Sequence, residues 1–143
     1  MVHALSEIRR VLAPDGVLID LRPLLDRWQI EVASARESRK TGRMKDFPGG
    51  LADDEAANKA MLAAEENRWF LRESEEFFPF TYSWDSAGEM EQWIEEEWEG
   101  FIEIDEETRR LTRSTWALGD ADSRVRVNVK MLITRWRKLQ PPA

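Results

Sequence analysis

Residues 4–23 constrain the fold most, because they predict a helix, a tight turn and a strand in immediate succession. Apolar residues recur there at helical spacing. Pro14 and Gly16 then predict a turn, since Pro disfavours a continuing helix and Gly permits a positive φ. The apolar run at residues 17–19 follows, and such a run is typical of a strand covered on both faces. We therefore expect a sheet with helices packed against it.

The next segment fits two interpretations. Leu25, Trp28 and Val32 share one face of a possible helix, whereas Trp28, Ile30 and Val32 alternate with polar residues as in a strand. We interpret the segment as a strand that pairs in a hairpin with a second strand near residues 40–46. Residues 47–50 then predict a loop, and Asp53 or Asp54 is expected to cap a helix.

The second half of the chain carries clearer signals. Large rings alternate along a strand at residues 69–84, and Pro79 predicts that this strand lies at a sheet edge. Ser86 and Asp105 are expected to cap two helices. Residues 124–137 alternate apolar and polar side chains and predict a further strand. The fold class expected is α+β: one domain over residues 1–143, with a small, mixed, mainly antiparallel sheet and helices packed on it.

Composition excludes several classes of function. The 143 residues contain no Cys, so thiol nucleophiles and thiolate metal sites are absent, and this composition suits a reducing, cytoplasmic setting. The net charge of −7 argues against general nucleic-acid binding, which needs a basic surface. No apolar run reaches the roughly 20 residues that a membrane span needs. The acidic groups are expected to form solvated faces, with no metal site.

The opening segment resembles a landmark of the class I S-adenosylmethionine-dependent methyltransferases, in particular those of type 11. In that family a helix of pattern L-x-E-I-x-R-V-L leads through K-P-G-G into the fifth strand of the sheet. Residues 5–12 match the helix and residues 13–16 stand for the turn, with Asp15 replacing a Gly. The later elements follow the family's C-terminal order, in which the last strand inserts antiparallel between the fifth and the sixth.

The resemblance covers only the C-terminal portion of such an enzyme. The family binds its cofactor through a Gly-rich loop after the first strand and an acidic residue after the second, and both elements precede the matching segment. The resemblance therefore implies a methyltransferase-related protein without autonomous catalysis, which binds a partner or a small ligand. It also leaves open a fragment of an active enzyme whose S-adenosylmethionine-binding half is upstream or on another chain.

Four residues make the best candidate site. Asp20 and Arg22 lie at the end of the first predicted strand, and Tyr82 and Trp84 end the aromatic strand. Strand ends are common ligand sites, and the matching parts of the related enzymes help to shape the acceptor pocket. We expect no catalytic, cofactor-binding or metal-binding residue on this chain.

The strand at residues 17–21 poses a physical problem, because its expected neighbour is missing. Unpaired backbone groups and apolar side chains would then be exposed at its edge. A homodimer that pairs through this edge is the remedy we expect, and coverage by the chain's own hairpin at residues 28–46 is the alternative.

Overall fold

The computed structural model describes residues 2–141, and its fold is α+β. The described residues form four helices and six strands. In chain order the elements are α1 (Val2–Val11), β1 (Val17–Ala33), β2 (Ser38–Arg43), β3 (Lys45–Asp46), α2 (Pro48–Glu66), β4 (Phe70–Trp84), α3 (Ala87–Glu97), β5 (Ile102–Glu103), α4 (Glu106–Ala117) and β6 (Arg124–Lys138).

The main sheet is antiparallel and its four strands lie in the order β2-β1-β6-β4, while β3 and β5 form a separate two-stranded sheet. The last strand, β6, therefore lies between β1 and β4. Pro79 lies in β4, which is an edge strand of this sheet, as expected for a residue that has no backbone N–H to donate to a neighbouring strand.

The chain divides into two compact units. Unit 1 consists of the described parts of Met1–Leu24 and Met131–Ala143 together with Ala52–Phe78, and unit 2 consists of Leu25–Leu51 and Pro79–Lys130. The three long strands β1, β4 and β6 each contribute residues to both units. Each unit has its own buried side chains.

Unit 1 buries one face of its sheet segment under helical side chains. Its core cluster consists of Leu5, Ala60, Met61, Ala64, Phe70 and Trp136. The opposite face of β1 is open, because Ile19 is 51% and Leu21 is 54% exposed. The prediction that the strand opened by residues 17–19 is covered on both faces is therefore wrong for this structure. An apolar run shows that the side chains on both faces of the strand are apolar, but it does not show what covers each face.

Unit 2 buries its side chains around the distal half of β1, the first half of β6 and the helices α3 and α4. The β1–β2 pairing runs from Gln29–Arg43 to Ala33–Ser38, with an irregularity after Ile30. Helix α4 approaches β2 closely at Gly42, where an added Cβ would meet Thr108 Cγ2 at 2.5 Å. A residue without a side chain is required there.

Two predicted boundaries are wrong. Strand β1 does not end near Pro23 but runs on to Ala33, joining the two strands predicted separately. Pro is tolerated where no neighbouring strand needs its missing N–H, and the pairing with β2 begins only at Gln29. Helix α2 begins at Pro48, not at Asp53 or Asp54, because Pro is pre-organised for the first helical position.

The predicted caps of α3 and α4 are confirmed. The Ser86 hydroxyl accepts from the Glu89 backbone N–H at 3.2 Å, and an Asp105 carboxylate oxygen accepts from the Thr108 backbone N–H at 2.7 Å. This bond holds the pKa of the Asp105 carboxyl below its usual value. Both cap residues were identified from local sequence alone, because capping depends on atoms within one turn.

Candidate functional site

The candidate site is a cleft in unit 1 that contains Asp20 and Arg22, two of the four predicted residues. Strand alternation places both side chains on the same face of β1. The Arg22 Nε donates to the Asp20 carboxylate at 2.9 and 3.0 Å from the two oxygens. The ion pair is largely withdrawn from water, since the Arg22 and Asp20 side chains are 18% and 15% exposed.

Two further elements extend this pair into a chain of hydrogen bonds. Arg22 Nη2 donates to Asn58 Oδ1 on α2 at 3.0 Å. On β6, the Thr134 hydroxyl accepts from Trp136 Nε1 at 2.7 Å and lies 3.4 Å from an Asp20 oxygen. The polar side chains of β1, α2 and β6 thus constrain one another and hold the arginine in a defined orientation.

Apolar side chains enclose the rest of a cleft of about 280 Å³. This volume lies just below the usual range of about 300–1,000 Å³ for small-molecule pockets. At the rim, Arg72 donates to Glu75 at 2.9 Å, and its guanidinium lies 5.6 Å from the Trp136 ring centroid. The apolar lining consists of Leu24, Met61, Leu62, Phe77, Leu132 and Trp136.

The other two predicted site residues, Tyr82 and Trp84, lie in unit 2. Their rings are nearly parallel, 5.9 Å apart at an interplanar angle of 13°. Trp93 and Trp98 also contact both rings. The structure therefore brings Asp20 together with Arg22, and Tyr82 together with Trp84. The pocket predicted from all four stays a prediction.

Asn58, Thr134 and Trp136 were not predicted as site residues. Asn58 lies within a helix that the sequence identifies by its good helix formers, and no local signal distinguishes Asn58 from its neighbours. Thr134 and Trp136 share the parity of Leu132, and all three are buried, so a polar Thr between two large apolar residues was a usable signal. Their relation to Asp20 depends on strand pairing across more than 100 residues.

The acidic helix α3 needs one correction. Glu91 was expected on a solvated face, but it is only 8% exposed. The Arg113 Nε donates to it at 2.7 Å, and Arg109 lies nearby at 3.8 Å. Hydrogen bonding to Glu91 raises the pKa of Arg113 further above its already high value. This carboxylate ties α3 to α4 and is a structural element of unit 2.

Within residues 2–141, no three His, Asp or Glu side chains are arranged to hold a metal ion. None of the helices in the same range is long and apolar enough to cross a membrane. Comparison with protein-family models, with curated proteins and with solved structures finds no significant match.

Proposed function

We propose that this chain is a methyltransferase-related protein that binds a small amphipathic ligand in the unit 1 cleft and does not itself transfer a methyl group. The observation that supports this is the combination of an apolar-walled cleft with the hydrogen-bonded pair Asp20 and Arg22. Apolar walls with a few fixed polar groups are the usual composition of a ligand site. The carboxylate and guanidinium contact each other, an arrangement suited to orienting a ligand.

A neutral fluorescent probe, N-phenyl-1-naphthylamine, tests whether the cleft takes an apolar body. We expect saturable one-to-one binding. Leu62→Asp should weaken binding about tenfold, because Leu62 lines the cleft and loses its apolar contact. Leu111→Asp is the matched control, since Leu62 and Leu111 are both helical and both 48% exposed. Equal affinity of the two variants would contradict the proposal.

The strand order favours a second candidate, a subunit or fragment of an active methyltransferase that receives S-adenosylmethionine on another domain. β6 lies between β1 and β4, as the last strand lies between the fifth and sixth in the family that the opening segment resembles. One-to-one binding of S-adenosylmethionine by this chain alone, measured by calorimetry, would contradict both candidates, since neither places the cofactor on this chain. Methyl transfer by the protein isolated from its native source, with none by the recombinant chain, would favour the second.

We also propose that two copies associate through the β1 edge near residues 17–21. β2 pairs with β1 only from Gln29 onward, and the half-exposed Ile19 and Leu21 lie beyond that pairing. A second copy would supply both backbone partners and apolar cover. Sedimentation at micromolar concentration should show a dimer that Leu21→Lys dissociates and that Leu118→Lys leaves intact. A wild-type monomer would disprove this association.

A further inference from the structure

We infer that the ligand of the unit 1 cleft is an amphipathic monoanion, an organic carboxylate with an aliphatic body. This inference assumes the proposed function, namely that the cleft binds a small ligand. It adds the chemical class of that ligand, and three features of the cleft support it.

The first feature is an unsatisfied donor. In residues 2–141, four buried side-chain polar atoms lack a hydrogen-bond partner, and all four are N–H donors: Arg9 Nε, Arg22 Nη1, Trp93 Nε1 and Arg109 Nε. Arg22 is the one of these residues that lines the cleft. A buried donor without a partner is costly, and it is best satisfied by an acceptor, most strongly by an anionic one. The ligand should therefore bring an acceptor to Arg22.

The second feature is the charge of the lining. The cleft carries two guanidinium groups, Arg22 and Arg72, and two carboxylates, Asp20 and Glu75. These charges sum to zero, so the cleft has no net positive charge to attract a multiply charged anion. Both carboxylates would also repel the second charge of a phosphate monoester. A carboxylate, with a single charge, fits this balance better.

The third feature is the apolar wall. Leu62 and Phe77 line the cleft and are 48% and 52% exposed, so each has apolar surface left to bury. Burial of such surface stabilises a complex by about 25 cal/mol per Å² before the costs of association. A carboxylate with no apolar body would gain nothing from these side chains. The ligand should therefore join an aliphatic chain to its anionic end.

Three probes with the same aliphatic chain test the inference: octanoate, octan-1-ol and octylamine, titrated by calorimetry. We expect octanoate to bind about tenfold more tightly than octan-1-ol, because a charge-assisted hydrogen bond is added. Octylamine should bind no better than octan-1-ol. If octanoate binds no more tightly than octan-1-ol, or if octylamine binds most tightly of the three, the inference is overturned, although the cleft still binds a ligand. Binding of none of the three would overturn the proposed function as well.

Two variants with opposite expected effects assign the selectivity to the ion pair. Arg22→Gln should lower octanoate affinity to that of octan-1-ol, with octan-1-ol affinity unchanged. Asp20→Asn should raise octanoate affinity severalfold, because it removes the negative charge nearest the guanidinium. A fall in octanoate affinity in Asp20→Asn would contradict the inference.

Arg22→Gln leaves Asp20 without its cation and risks impairing the fold. The double variant Asp20→Asn/Arg22→Gln replaces the ion pair by two neutral amides of similar size and should also lose the preference for octanoate over octan-1-ol. Arg36→Gln, an exposed arginine in unit 2, is the control and should keep that preference. A preference retained by the double variant would overturn the role of Arg22.

Discussion

Aromatic side chains have different surroundings in the two units. In unit 2, Trp28, Tyr82, Trp84, Trp93 and Trp98 contact one another, with centroid separations between 5.1 and 6.3 Å. In unit 1, Trp69 and Trp136 instead lie beside cations, Arg9 and Arg72, at 5.9 and 5.6 Å. Trp136 also lines the cleft. Rings that pack on rings fill space, whereas a ring beside a cation and a cleft leaves room for a ligand.

The largest effect is expected when a ring is removed from unit 2. Trp28 is 5% exposed and packs edge-on against Trp98 at 5.1 Å. We expect Trp28→Ala to lower the free energy of unfolding by about 3–5 kcal/mol, because a large cavity remains. Urea denaturation followed by circular dichroism measures the loss. Leu62→Ala, at the wall of the unit 1 cleft, should change stability by less than about 0.5 kcal/mol. Similar losses in the two variants would refute the contrast.

A second test concerns the polar contact that joins α4 to β2 in unit 2. The hydroxyl groups of Thr41 and Thr112 lie 2.7 Å apart, and Thr112 also donates to the Thr108 carbonyl oxygen. We expect Thr112→Val to cost about 1–3 kcal/mol, because the Thr41 hydroxyl is left buried without its partner.

The double variant Thr41→Val/Thr112→Val is the informative comparison for this contact. Replacing both partners by apolar side chains of the same shape removes the unsatisfied group, so part of the lost stability should return. A double variant less stable than Thr112→Val alone would show that the cost has another origin.

A smaller effect is expected at the start of α3. Ser86→Ala removes the side-chain acceptor for the Glu89 N–H and should cost about 1 kcal/mol. Ser86→Asp, which keeps an acceptor, should retain most of the stability. Thermal unfolding of both variants provides the measurement, and equal losses would mean that the cap contributes nothing beyond its side-chain volume.

The smallest effect belongs to unit 1 and depends on pH. Hydrogen bonds and charge from Arg137, with a further contribution from Arg135, hold the pKa of the exposed Glu73 carboxyl below its usual value of 4.5. A carboxyl with a lowered folded-state pKa stabilises the fold above its unfolded-state pKa and loses that contribution as pH falls through the folded-state pKa. The wild type should therefore exceed Glu73→Gln in stability near neutral pH and lose this advantage below about pH 4. An advantage that grows as pH falls would contradict this assignment.

Local sequence determined much of the fold. Three features were predictable because each depends on neighbours within a few positions or on strand periodicity. They are the residues that cap α3 and α4, the alternation along β6 and the edge position implied by Pro79. Acidic and basic side chains also pair between β4 and β6, where Glu73 forms ion pairs with Arg135 and Arg137. Which face of β1 is open was not predictable, since apolar residues occur on both parities.

Of the unit 1 cleft, the sequence by itself identified Asp20 and Arg22, through their position at the end of an apolar run. Only the tertiary structure added Asn58, Thr134 and Trp136. Asn58 is 36 residues from its partner Arg22, and Thr134 is 114 residues from Asp20. Trp136 joins them through its hydrogen bond to Thr134. It likewise decided that β6 lies between β1 and β4, and that Glu91 is buried. The physical reason is the same in each case. Periodicity determines which side chains share a face, whereas strand pairing and helix packing between distant segments determine what packs against that face.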